Sequence, residues 1–138
     1  MNRLKVTFLA FLIFFATAGL GYAEKVAELD EVMQPSMLAA DGEHLFVLDG
    51  IRVHVYTIKD WRHLRSFGKE GNGPGEFTTN FVNRLTMILD KGDLFLSNFT
   101  KMARFTPQGK LKMEKAFSFM VIQSIPMGKN YVITRFIP

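Results

Sequence analysis

The 138-residue sequence contains no cysteine. That absence excludes a disulfide framework, a thiolate metal site and lipid attachment through a cysteine. Histidine is scarce, with three residues, His44, His54 and His63. Their spacing forms no H-x-x-x-H or comparable ligand pair, so no motif-borne metal site is expected. No G-x-S-x-G stretch marks a nucleophile elbow. A single tryptophan, Trp61, falls in a turn, where anchoring to a neighbouring sheet is the expected role. Charge of one sign is also lacking once the first 23 residues are set aside. Those residues hold Arg3 and Lys5 and no acid, so fifteen basic side chains then face 13 acidic ones. The basic residues alternate with acids along the chain, which argues against a nucleic-acid footprint.

Long apolar runs are absent except at the start. Arg3 and Lys5 precede an apolar or small stretch from Val6 to Ala18, followed by Gly19-Leu20-Gly21-Tyr22-Ala23. A basic segment, an apolar segment of about 13 residues and a small-x-small site form the three parts of a secretory signal. The run is shorter than the roughly 20 residues a spanning helix requires. Cleavage is therefore expected after Ala23, with Glu24 as the mature N-terminus and a periplasmic or extracellular destination.

What the sequence does have is a shaped loop, Phe67-Gly68-Lys69-Glu70-Gly71-Asn72-Gly73-Pro74-Gly75-Glu76-Phe77. Its glycines supply positive φ or close backbone approach, and Pro74 fixes a further dihedral. The stretch reads as too rich in glycine and proline for helix or strand. It is not a phosphate cradle, because no Gly-Lys is followed by Ser or Thr and the residue three after Gly73 is Glu76. It reads as a connector between two sheets.

Around that loop the chain repeats itself. Asp41-Gly42-Glu43-His44-Leu45-Phe46-Val47-Leu48-Asp49 recurs as Lys91-Gly92-Asp93-Leu94-Phe95-Leu96-Ser97-Asn98, and more faintly from Met127 to Arg135. Leu45 and Leu94 lie 49 positions apart, and Leu94 and Tyr131 lie 37 apart, an unequal period typical of repeats with loop insertions. Four strands are predicted in the first repeat, at 36–40, 44–49, 52–57 and 62–67. Four more are predicted at 84–89, 94–98, 102–106 and 111–117, and a third repeat begins near Met120. Leu45 to Leu48 is apolar on both faces, which suits a strand sandwiched between sheets. The fourth strand carries Arg62, His63 and Arg65 and its counterpart carries Lys112, Glu114 and Lys115, which suits a protected outer edge. These features predict an all-β fold, a partial β-propeller of about two and a half four-stranded blades after an N-terminal signal helix. The expected divisions are 1–23 signal, 24–34 linker and 35–138 blades.

The loop resembles the F-G-x-x-G-x-G-x-G-x-F signature of NHL-type repeats, and its surroundings resemble exported bacterial six-bladed β-propellers. The second repeat departs from that pattern, ending at Phe117-Ser118-Phe119 without a glycine loop. The resemblance implies a non-catalytic binding or interaction platform for a protein or carbohydrate ligand. It would touch no nucleic acid, and would meet the membrane only through its signal during export. Alternatives are the N-terminal part of a propeller lyase or hydrolase with a channel metal, or of a surface receptor's sensor domain. The sequence nominates no catalytic residue, metal ligand or cofactor, and the histidines read as packed or surface residues. In a four-stranded blade the inter-blade loop and the turn between strands two and three share one end. Asp49, Arg52, Asn72, Asn98 and Lys101 are therefore the candidate binding residues. Propellers close with at least four blades, so the chain reads as a fragment or truncated reading frame. Tyr131, Val132, Ile133 and Phe136 would lack strand partners, and alone from Glu24 the chain is expected to aggregate or stay largely unfolded.

Overall fold

The computed structural model describes residues 24–80, 83–128 and 130–135. The expected signal segment and Phe136 lie outside those residues. The described chain is all-β. Residues 24–34 form no strand and lead into β1 (Pro35–Ala40), β2 (His44–Asp49), β3 (Arg52–Thr57) and β4 (His63–Phe67). These strands form an antiparallel sheet in chain order. Its turns follow from their residues. Asp41 Oδ1 accepts the N–H groups of Glu43 and His44 at 2.9 and 2.8 Å, the side-chain-closed turn that aspartate favours. Gly50 takes φ 61° between the paired residues Asp49 and Arg52.

The glycine loop is not devoid of strand, contrary to the sequence expectation. Lys69–Glu70 (β5) and Glu76–Phe77 (β6) form a short parallel pair. Positive φ at Gly68, Gly71 and Gly75 folds the chain back far enough for the pair to meet. A second antiparallel sheet follows from β7 (Thr86–Asp90), β8 (Asp93–Ser97), β9 (Lys101–Phe105) and β10 (Leu111–Ala116). Lys91 and Gly92 join β7 to β8 with φ of 53° and 81°, the paired positive dihedrals that a two-residue hairpin needs. The last elements are a two-stranded hairpin, β11 (Val121–Met127) and β12 (Asn130–Arg135). None of these sheets closes on itself.

Side-chain alternation decides how the sheets stack. Phe46, Leu48, Val53 and Val55 leave one face of the first sheet and meet Met87, Leu94, Leu96, Ala103 and Phe105 of the second. Phe77 and Leu85, from the connection, complete this core. The residues between them in sequence point the other way. On the second sheet these include Phe95 and Met102, which are fully buried, with Val121 and Ser124 of the hairpin buried on the adjoining side. Arg104 ties the two together, donating to Asp90 Oδ2 at 2.8 Å and to the Gly128 carbonyl at 3.2 Å.

Gly68 is the loop position where a side chain is least tolerable. A Cβ there would strike the backbone carbonyl of Ile51, which cannot swing aside, and φ is 100°. Gly68→Val should therefore lower stability by about 1 to 3 kcal/mol. Lys69→Ala, which removes only an exposed ion pair to Glu76, should change stability by less than about 0.5 kcal/mol. Thermal melting of the two variants checks this, and equal, negligible shifts would contradict the loop geometry.

Candidate functional site

The β2–β3 turn, the glycine-loop connection and the β8–β9 turn gather at one end of the two sheets, and two interactions hold that end in shape. The Lys101 ammonium donates to the carbonyls of Gly73 and Glu76, both at 3.0 Å, and pairs with Glu114 Oε1 at 3.3 Å. Glu114 Oε2 in turn accepts the Gly75 N–H at 2.6 Å. The glycine loop of the first repeat is thereby stapled to β9 and β10 of the second. Within the loop, Glu76 accepts from Lys69 and from the Gly73 N–H, and these bonds, that to Lys69 foremost, hold its carboxyl below the usual glutamate range.

The five residues nominated from sequence differ in their surroundings. Lys101 belongs to the staple. Asn98 is buried, its Oδ1 accepting the N–H groups of Thr100 and Lys101 and its Nδ2 donating to the Thr78 carbonyl at 3.0 Å. Asp49 accepts the N–H groups of Met33 and Gln34, both at 2.9 Å, which docks the segment before β1. Arg52 and Asn72 are exposed. Asp49 and Arg52 share an open depression of about 290 Å³ with Ile51, Gly68, Lys69 and Glu70.

A larger, apolar hollow at this end was not anticipated from sequence. It measures about 510 Å³ and is walled by Phe99, Phe117, Phe119 and Met120, with Asn80 and Thr100 at its margin. Phe117 and Phe119 pack with ring centroids 5.6 Å apart, and the Arg135 guanidinium lies 5.7 Å from the Phe119 centroid. Asn80 also lines a second, more polar hollow of about 560 Å³ with Ser36, Gly50 and Arg84. The two hollows therefore adjoin. The available signal was the pair Phe117 and Phe119 in the second connection, whose neighbour Phe99 comes from a distant turn.

A cluster of titratable groups lies on the far face of the first sheet. His54 and His63 approach with ring centroids 5.7 Å apart. Ser66 Oγ lies within hydrogen-bond distance of both rings, at 3.0 Å from His54 Nδ1 and 2.9 Å from His63 Nε2. Tyr56 donates to Glu31 Oε2 at 3.0 Å, and burial together with that carboxylate pushes the phenol up to about 12. Burial, reinforced by the nearby His63 and Arg52, lowers His54 below the usual histidine range despite Asp49 and Glu31. The buried His54 fits the packed role expected of it. Among the described residues no group of three or more His, Cys, Asp or Glu is placed to hold a metal.

No protein-family model matches the chain, and neither does any curated protein. A solved structure does. It is a protein of Bacteroides fragilis NCTC 9343 whose name presumes it to be exported, similar at a TM-score of 0.55 and 17% identity over 75% of this chain. At that identity the likeness establishes the fold alone. The chain spans 29% of that neighbour's length.

Two outcomes follow from these contacts. Lys101→Met strands two carbonyls and the partly buried Glu114, and should cost about 2 to 3 kcal/mol in denaturant unfolding. A loss below about 0.5 kcal/mol would contradict the staple. The second concerns acid. The lowered value of His54 means that protonation favours the unfolded chain. Its contribution is present above the ordinary histidine value of about 6.5 and is lost as pH falls through the folded-state value. The melting temperature should fall as pH is lowered from about 7.5 through the ordinary histidine value, and His54→Gln should reduce that fall. An unchanged slope in the variant would assign the acid sensitivity elsewhere.

Proposed function

We propose that this chain forms blades of an exported, six-bladed NHL-like β-propeller that acts as a non-catalytic binding module through its loop end. One observation carries the reading: two adjoining hollows, one apolar and one polar, meet at Asn80 on an end braced by the Lys101–Glu114 staple. Concave apolar sites with a few convergent polar groups are the usual form of a binding surface. Loops held by a rigid scaffold are the usual place for one. The stacking of similar four-stranded sheets supports the propeller, and the signal-like residues 1–23 support export.

Blocking substitutions test the assignment. The protein is screened on peptide and glycan arrays beside Thr100→Trp, which fills the apolar hollow, and Gln108→Trp, in the turn at the opposite end of β9. Binding should be lost in the Thr100 variant and kept in the Gln108 variant. Equal binding by both would remove the loop end as the site.

A further inference from the structure

Charge is divided between the two halves of the molecule in a way that the overall composition conceals. Residues 24–80 hold six basic and ten acidic side chains, whereas residues 83–135 hold nine basic and three acidic. All three acids of the second half are engaged within it. Asp90 pairs with Arg104 at 2.8 Å, Asp93 with Lys112 at 2.7 Å, and Glu114 with Lys101 at 3.3 Å. The positive surplus of that half includes Arg135.

That arginine stands at the apolar hollow. Arg135 lies over Phe119 at its wall, and Arg84 lines the adjoining polar hollow beyond Asn80. No carboxylate is among the described residues lining either hollow. An apolar cup walled by three phenylalanines and a methionine takes an apolar side chain, and the Arg135 guanidinium at its wall attracts negative charge beside it. Phenylalanine offers no polar handle of the kind tyrosine and tryptophan present. That chemistry favours a side chain buried in the cup over the hydroxyl-rich face of a sugar.

Resting on the loop-end reading above, we infer that the occupant is an acidic peptide segment carrying a large apolar side chain. That side chain seats between Phe99, Phe117 and Phe119, and a flanking carboxylate faces Arg135.

Fluorescence anisotropy tests this with a labelled peptide in which one phenylalanine is flanked by two Asp or Glu residues on each side. The probe should bind the purified protein, and exchanging its phenylalanine for serine should weaken binding at least tenfold. Phe119→Ala should weaken it at least tenfold, Phe119→Leu should retain most of it, and Arg135→Gln should weaken it several-fold. Raising salt should weaken it further. Each variant is checked for the parent's melting temperature, which separates lost binding from lost fold. An oligogalacturonate that binds in place of the peptide, with the same dependence on Phe119 and Arg135, would keep the loop end and overturn the peptide assignment. Peptide binding indifferent to both substitutions would overturn the loop-end reading as well. Absence of binding at millimolar peptide, by protein with the parent's melting temperature, would overturn the inference.

Discussion

The architecture depends on strands that are apolar on both faces. In β2 and β8 successive side chains alternate between the two faces of the sheet, and Phe46, Val47, Leu48, Leu94, Phe95 and Leu96 are all buried. A sheet built on such strands needs cover on each side. The first sheet receives the second on one face, and Glu31, Met33 and Gln34 bond over the other. The second sheet receives the hairpin on its remaining face. The hairpin in turn carries apolar residues outward, with Ile122 57% and Met127 62% exposed. Stacking is the way a two-faced apolar sheet leaves water, and it fixes the turns at the two ends of the stack.

One of those ends acquires its shape from a charge placed among backbone carbonyls. Lys101 is largely buried, yet its ammonium has three acceptors, two of them loop carbonyls and the third Glu114. The loop's positive-φ glycines allow those carbonyls to converge. The same bonds that close the loop bring the two repeats together, so the hollows beside Asn80 lie on a braced surface. Preorganisation of this kind reduces the ordering cost that a ligand must offset.

Much of this was legible in the sequence, for definite reasons. Glycine turns and apolar alternation are local signals, and they place the eight strands of the two four-stranded sheets within about two residues of where they lie. The β5–β6 pair was not legible, because two-residue strands formed by a loop folding back leave no periodic trace. Asn98 and Lys101 were nominated from loop position alone. Their bonding is internal because Thr78, Gly73 and Glu76 come near only after the sheets stack. The hollow formed by Phe99, Phe117 and Phe119 joins a turn to a connection and so has no motif. The charge division was hidden by a total near balance, and became visible once the sheets gave a boundary at which to count.

The packing of one sheet face on another is tested most directly by a double-mutant cycle on Phe67 and Phe105, whose rings meet across the two sheets at 5.6 Å. Phe67→Leu, Phe105→Leu and the double variant are compared in denaturant unfolding. Face-to-face stacking predicts a coupling energy of about 0.5 to 1.5 kcal/mol between the two positions. Additive effects, with coupling within about 0.3 kcal/mol of zero, would contradict it.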